Sequence, residues 1–496
     1  MGFNSAQAIR HWALRDPQRT AIVLADRPPD DGERNVSYAQ LDALARGAAA
    51  QLAAHGLLAG DRVALSLPNG LAFLAAYFGA AYAGITVVPI PPMSSLPELR
   101  ARFAQARCAA LIADRTLPEC RAIDAAALLA HEAPDAPPRE LAPDAVAMLL
   151  YTSGTTGVAK GAMITHASLV AHTAALVHHV LRLSERDRVL ATLPLTHSYG
   201  IRMTLLAPFY AGATSVLTER FALARALQLL EAERITWFPG VPTMFHAIAH
   251  GPAQPSAMLR WCLSAGAPLP REVRLRAEAK LGVPVRQGFG LTEATFSTVA
   301  LPDDAGGEDT VGRPVFGVEL RIVDATGKPC PPDTPGEVCV RGQNVMAGYL
   351  DEPEATGAVL RDGWLHSGDI GQLDDQGRLT IVDRIKDLII RGGFNVYPAE
   401  VEAVLVAHPS VREAAVVGVP DERYGEDVLA VLVLHAGDTL SPEALSAFCR
   451  EQLSRVKVPR LVAFVDALPT GPSGKVQRRE LRRLALDGTL PTTQLP

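Results

Sequence analysis

The chain lacks several features that would settle its class quickly. It has no C-x-x-C pair: its six cysteines (Cys108, Cys120, Cys262, Cys330, Cys339 and Cys449) are scattered over 496 residues. That spacing excludes a zinc ribbon or a thioredoxin-type redox pair. With no signal-like N-terminus, the cysteines read as reduced, buried thiols of a cytoplasmic protein. There is no excess of positive charge. Lys and Arg number 47 against 53 Asp and Glu, a net charge of −6, so no global field draws the chain to nucleic acid. No internal repeat or low-complexity tract is present. One segment that could be mistaken for a membrane span, Leu71 to Ile90, carries no charge and is about long enough to cross a bilayer. Gly79 and Gly84 interrupt it, and its end, Ile85–Ile90, is β-branched and followed by Pro91-Pro92. It reads as a buried helix followed by a buried strand, not as a membrane span.

What the chain does have is length and apolar content, with 48% hydrophobic residues, enough for more than one domain and a large core. Short apolar strands alternate with helical patterns. Strand-like runs are Arg62–Ser66, Ala110–Ala113, Val146–Leu150, Val189–Leu193, Thr214–Thr218 and Ile235–Phe238, and helical periodicity is clear from Tyr38 to His55. Such alternation predicts parallel sheets covered by helices. Past about residue 310, short strands with Gly, Asp and Pro turns take over, as in Glu319–Asp324 and Gly336–Arg341, which predicts a small β-rich subdomain. From about residue 387 the pattern returns to mixed α/β. The expected fold class is therefore α/β: a large N-terminal domain of mixed and parallel sheets, a β-rich subdomain, and a smaller α+β C-terminal domain.

The densest local signal is Tyr151-Thr-Ser-Gly-Thr-Thr-Gly-Val-Ala-Lys-Gly161, which follows the Val146–Leu150 strand. Backbone N–H groups of a Gly-rich loop can approach a phosphate closely, hydroxyls add donors, and Lys160 adds charge. It is not a Walker A loop, because Gly154 and Gly157 are too close together and Lys160 is followed by glycine. The string resembles the phosphate-binding signature of the adenylate-forming enzymes, the superfamily of acyl-CoA synthetases, luciferases and nonribosomal adenylation domains.

Further motifs extend that resemblance over nearly the whole chain. Leu193–Gly200 resembles the substrate-side motif, which implies that His197 borders the acyl group. Ser264–Leu269 resembles the turn that packs on adenine, through Gly266, Ala267 and Pro268. Gln287–Glu293 is similar to the Tyr-Gly-x-Thr-Glu motif, with Phe289 where Tyr is usual. A phenyl ring can still stack on adenine but loses the hydroxyl. Gly288, Gly290 and Thr292 would accompany it, and Glu293 would hold Mg²⁺. Thr152, Ser153, Gly154, Thr155, Thr156, Gly157 and Lys160 would hold the phosphates. Asp369, in Trp364–Asp369, and Arg384 would bind ribose. The segment Asp383–Pro398 resembles the interdomain segment, with Lys386 at the hinge. This implies an N-terminal AMP-binding domain over 1–383 (the β-rich part at about 310–383), a hinge at 384–386 and a mobile C-terminal lid domain over 387–496. Gly392 and Gly393 would let a thiol-bearing arm pass, and Lys457 and Arg460 would meet CoA phosphates. Lys475, in Leu468–Lys475, stands at the position of the catalytic lysine. On its own, a lysine in a Pro/Gly loop is an exposed residue.

The resemblance implies ATP-dependent ligation of a carboxylic acid to CoA through an acyl-adenylate, with ATP, Mg²⁺ and CoA as the cofactors and co-substrates. The alternative acceptor is the phosphopantetheine of an acyl or peptidyl carrier protein. An amino-acid substrate is disfavoured because Leu195–Ser198 holds no aspartate for an ammonium group. A non-catalytic nucleotide-binding role is disfavoured because Lys475, Glu293, Asp369 and Arg384 are all present. His197, Tyr199, Met203, Val241 and Met244 are the expected pocket walls, compatible with an aryl acid or a short-to-medium chain. Arg202 is odd in the apolar helix Ile201–Phe209. It is expected to send its head group to the surface, the alternative being a polar or anionic group at the far end of the substrate. The basic residues between Arg450 and Arg483 are expected to form either a solvated helix face or a phosphate-facing surface.

Overall fold

The computed structural model describes residues 3–129, 133–152, 159–470 and 476–495. Its chain packs into two compact units: Met1–Leu320 with Cys339–His366, and Arg321–Val338 with Ser367–Pro496. By packing, then, Ser367–Asp383 goes with the C-terminal part, ahead of the boundary expected at 384–386. Asp369 to Leu373 runs antiparallel to Leu379–Arg384, and Asp383 Oδ2 accepts from the Ala399 N–H at 2.9 Å. All four tryptophans (Trp12, Trp237, Trp261 and Trp364) belong to the first unit.

In the first unit, among the described residues, nine strands form one sheet. Their order is Arg313–Pro314, Thr298–Val299, Val285–Phe289, Trp261–Ala265, Trp237–Gly240, Arg188–Ala191, Thr214–Leu217, Thr20–Leu24 and Asn35–Ser37. The six from Val285–Phe289 to Thr20–Leu24 are parallel, and the short outer strands are antiparallel. Helices Leu223–Ala232, Pro242–His250 and Arg271–Leu281 bury Leu230, Phe245, Ile248, Ala277 and Leu281 against Leu190, Val216, Phe238 and Cys262 of this sheet. A second sheet of six strands has the order Ala122–Ile123, Ala110–Ala113, Arg62–Ser66, Thr86–Pro89, Val146–Thr152 and Lys160–Thr165. The uncharged run is a helix, Leu71–Ala83, followed by the strand Thr86–Pro89, as expected. The helix is buried on all sides from Phe73 to Tyr82, which is why it carries no polar face. Gly79 lets it touch the helix Tyr38–Ala54: a Cβ there would lie 2.5 Å from Ala48 Cβ. No described helix is long and apolar enough to cross a membrane.

In the second unit, Gly425–Leu434 is the central strand of a six-stranded sheet. Its side chains alternate between two cores. Val428, Ala430 and Leu432 pack toward helices Pro398–Val406 and Pro442–Gln452, while Leu429, Val431 and Val433 pack toward Arg478–Leu486. Three of the basic C-terminal residues are paired here. Arg478 meets the Glu402 carboxylate at 2.7 Å, Arg482 meets Glu426, and Arg483 meets Glu480 and Asp487. All six cysteines are free thiols, four of them buried.

Candidate active site

Three of the motif segments and one expected pocket residue follow the carboxyl ends of four neighbouring parallel strands. Thr192–His197 follows Arg188–Ala191, Val241 follows Trp237–Gly240, Gly266–Pro268 follows Trp261–Ala265, and Gly290–Thr292 follows Val285–Phe289. Open parallel sheets bind ligands along this edge, because the loops there are free of the sheet's own hydrogen bonds. Gly266, Ala267 and Pro268 are exposed on it, Gly288 is buried, and Phe289 is half-buried in its strand.

His197 is exposed and opens a helical stretch, Ser198 to Ala211, whose middle, Arg202–Leu206, is wound as a π-helical turn. The preceding turn is tight. His197 N–H donates to the Pro194 carbonyl at 3.1 Å, and a Cβ on Gly200 would stand 2.1 Å from that same oxygen. Tyr199 sends its hydroxyl to the Leu263 carbonyl (2.8 Å) and the Gly240 carbonyl (3.0 Å), pinning its ring to two adjacent strands. With Val241 and Met244 it packs on one apolar cluster, so the structure brings together three of the expected pocket residues. Met203 is fully buried one turn further on.

Thr152 and Lys160 face each other in register at the base of an antiparallel pair, closing the ends of the Gly-rich segment. Ser153, Gly154, Thr155, Thr156 and Gly157 lie outside the described residues, as does Lys475. The segment Val345 to Leu350 joins the Lys160 strand to Glu293. Met346 N–H donates to the Glu293 carbonyl (2.8 Å), Ala347 N–H to Met163 O (2.9 Å) and Leu350 N–H to Gly161 O (2.8 Å). Its Tyr349 hydroxyl donates to Glu293 Oε1 at 2.7 Å, and the Lys160 ammonium lies 5.4 Å from the centre of the same ring. Burial and the Glu293 charge hold the Tyr349 hydroxyl well above its ordinary pKa, so it remains a donor. Glu293 Oε2 has no partner among the described residues. A carboxylate fixed at one oxygen and open at the other fits a hard divalent cation. Behind Glu293, His172 Nε2 bonds the Phe296 carbonyl at 3.0 Å, so that nitrogen carries the proton, and Nδ1 accepts from the Thr295 hydroxyl (3.4 Å). Tyr349 and His172 escaped the sequence reading. Their partners are 56 and over 120 residues away, and no spacing signal marks them.

The expectation for Arg202 is corrected. It is 1% exposed, not at the surface. Every residue from Ile201 to Phe209 is buried, so no direction from this helix leads a four-bond side chain to water.

In the second unit, Asp369 and Arg384 are register partners on antiparallel strands, with Arg384 Nε 2.9 Å from Asp369 Oδ1. Asp369 is buried and Arg384 exposed. Lys386 is exposed in the short 3₁₀ turn Ile385–Asp387. Gly392 (φ +57°) and Gly393 (φ +84°) form the two-residue turn between Ile389–Arg391 and Phe394–Val396. Positive φ at both positions is what a tight hairpin requires, and only glycine meets it without strain. Lys457 and Arg460 are already engaged. Lys457 Nζ sits 2.6 Å from both Glu400 oxygens, and Arg460 Nη1 bridges Asp421 and Asp427 at 3.0 Å each.

A sequence model described as AMP-binding enzyme matches residues 9–350, and one described as AMP-binding enzyme C-terminal domain matches residues 400–475. Feruloyl-CoA synthase of Amycolatopsis sp is 38% identical over 491 residues, covering 96% of this chain and 99% of its own. Sulfoacetate–CoA ligase of Cupriavidus necator is 37% identical, covering 86% and 88%. The structure of ATP-bound MatB from Rhodopseudomonas palustris superposes with a TM-score of 0.90 at 32% identity, covering 98% of this chain and 99% of that one.

Proposed function

Since the chain belongs to the AMP-binding enzyme family, we propose how its own residues divide the work of an AMP-forming acid–CoA ligase. The enzyme uses ATP, Mg²⁺ and CoA to turn a carboxylic acid into an acyl-adenylate, with release of pyrophosphate, and then into a CoA thioester. Attack of a carboxylate on the α-phosphate brings two anions together, so the barrier falls only when phosphate charge is neutralised and geometry fixed. In our reading, Lys160 and the Thr152–Gly157 segment grip the phosphates. Glu293 would hold Mg²⁺, which would add positive charge there. Asp369 accepts from ribose hydroxyls and Arg384 steadies it. Lys475 bridges the carboxylate and the α-phosphate. After pyrophosphate leaves, a movement hinged at Lys386 brings the Gly392–Gly393 turn to the thiol. The six free cysteines fit work in the reducing cytoplasm. Feruloyl-CoA synthase and sulfoacetate–CoA ligase are named for acids of different size and charge, so kinship does not choose the acid.

The observation that carries this reading is the Lys160–Tyr349–Glu293 arrangement, which sets a cation and an aimed carboxylate around one ring. The test is to separate the half-reactions. Lys475→Ala is expected to lose adenylate formation by roughly 10²–10³-fold, as for loss of one contact to developing charge. It should still make thioester from supplied acyl-adenylate. Equal loss in both halves would mean that the lysine is structural. Glu293→Gln is expected to raise the Mg²⁺ concentration needed for adenylation; an unchanged Mg²⁺ titration removes Glu293 from the metal site.

A further inference from the structure

Arg202 is among the largest fully buried side chains of the molecule. Its Nη1 reaches the Leu169 carbonyl at only 3.5 Å, and its Nε and Nη2 have no hydrogen-bond partner among the described residues. The neighbouring titratable groups are Tyr77 and His172. Neither can serve as counter-ion at neutral pH. Burial lifts the Tyr77 phenol to about 12, and burial together with the Arg202 charge holds His172 well below its usual value, so both are neutral. The Tyr77 hydroxyl is buried beside the Ser5 side chain. Burial lowers Arg202 only to about 10, which leaves the guanidinium charged. A charged, dry guanidinium with two idle donor nitrogens is strongly unfavourable unless an anion completes it.

Its place is informative. Arg202 lies on the same helical stretch as Tyr199, three residues on, and begins the π-helical turn, a distortion frequent at functional sites. The Tyr199 ring meets Phe296 edge-on at 5.1 Å, and the Phe296 carbonyl is held by His172, on the helix that also supplies Leu169. His172, a charge neighbour of Arg202, is thus tied to the Tyr199–Phe296 layer, while His197 on the Arg202 stretch is exposed. We propose that Arg202 is the receptor for a second acidic group on the acyl substrate, so that the ligase prefers a dicarboxylic or sulfocarboxylic acid to the matching monocarboxylic acid. This rests on the reading that Tyr199, Met203, Val241 and Met244 wall the acyl site. The planar fork of donors suits a carboxylate or a sulfonate, and the Tyr77 hydroxyl supplies one more donor.

The test compares kcat/KM for pyrophosphate release with glutarate, adipate, 4-carboxycinnamate and 3-sulfopropanoate. Each is paired with the acid lacking the second acidic group: pentanoate, hexanoate, cinnamate and propanoate. At least one doubly acidic substrate is expected to exceed its partner by about 100-fold, the scale of a buried charged pair. Arg202→Met should bring that ratio near one. A wild-type preference for the monoacids, or a ratio untouched by Arg202→Met, overturns the proposal. Melting of the full chain gives a second readout. Without substrate, Arg202→Met is expected to melt at or above wild type, because an uncompensated charge is removed. A fall of several degrees would show a structural partner and overturn the idea. The preferred diacid should raise the wild-type Tm and not that of the variant. An equal rise with chloride alone would make this an inorganic-anion site and overturn the substrate assignment. Turnover of monoacids only would leave the ligase reading intact and sink the Arg202 inference. Turnover of none would count against the pocket reading, while the melting arm still decides on Arg202.

Discussion

A single tyrosine hydroxyl aims the carboxylate at Glu293. Tyr349 holds one Glu293 oxygen and offers its ring face to Lys160. Tyr349→Phe keeps the ring and removes only the hydrogen bond. A hydrogen bond to a charged group contributes about 1.5–3 kcal/mol, or roughly 10–100-fold. The expected outcome is a rise of that order in the apparent KM for Mg·ATP with little change in Tm. Adenylation assayed over graded Mg²⁺ checks it, and an unchanged titration would take Tyr349 out of the site. At this scale the sequence is partly legible. Lys160 and Glu293 stand out because each sits in a short string dense in glycine and hydroxyls. Tyr349 does not, since its role depends on a contact across 56 residues. Arg202 is misread for a different reason. A wholly apolar helix has no solvent side, and its sequence cannot say whether one charge escapes or is enclosed.

Among the elements, the Gly392–Gly393 turn separates conformation from space. A Cβ on Gly393 would meet nothing within 4 Å, whereas one on Gly392 would lie 3.2 Å from Tyr424 Cδ1. Gly393→Ala therefore suffers only backbone strain, about 1–2 kcal/mol. If the thiol passes here, that variant should slow thioester formation while leaving adenylation intact. Lys386→Pro should act in the same direction and more strongly, because a fixed φ near −65° limits the exposed turn Ile385–Asp387 to one setting. Separate assays of the two half-reactions decide both. Loss of adenylation in either variant would place the effect in folding rather than in acceptor delivery. Elements were more legible than side-chain partners. Leu71–Ile90 resolves into helix and strand because glycine, proline and β-branching punctuate it. What the pattern could not give is the pairing of Thr152 with Lys160, which makes the Gly-rich segment the connection of an antiparallel pair.

Across the whole molecule, the N-terminal residues are tied into the core by several hydrogen bonds, one of which acid disrupts. Ser5 N–H donates to His166 Nδ1 at 3.1 Å, and Asn4 Nδ2 donates to the Ala81 and Arg139 carbonyls. Burial pushes the His166 imidazole down to about 4. An unfolded histidine titrates near 6.5. Because the folded pKa is the lower one, this contribution is complete above about pH 6.5 and is lost as pH falls toward 4. It amounts to roughly 3 kcal/mol in all. The denaturation midpoint should therefore drop between pH 6.5 and 4. His166→Gln, whose amide oxygen can still accept from Ser5, should lose less over that window. Equal losses would assign the acid sensitivity to other groups, His172 first, which burial also holds well below its usual value.

The placement of the four tryptophans has a spectroscopic consequence. The first unit holds Trp12, Trp237, Trp261 and Trp364, while the second has only Tyr397 and Tyr424 as phenolic chromophores. Emission excited at the red edge of the indole band therefore follows mainly the first unit, with Trp364 on the strand Trp364–Leu373 that runs on into the second. Melting of the second unit will reach that signal through Trp364 only, and a circular-dichroism trace of the same sample will record both. A gap between the two curves then measures how independently the two units come apart.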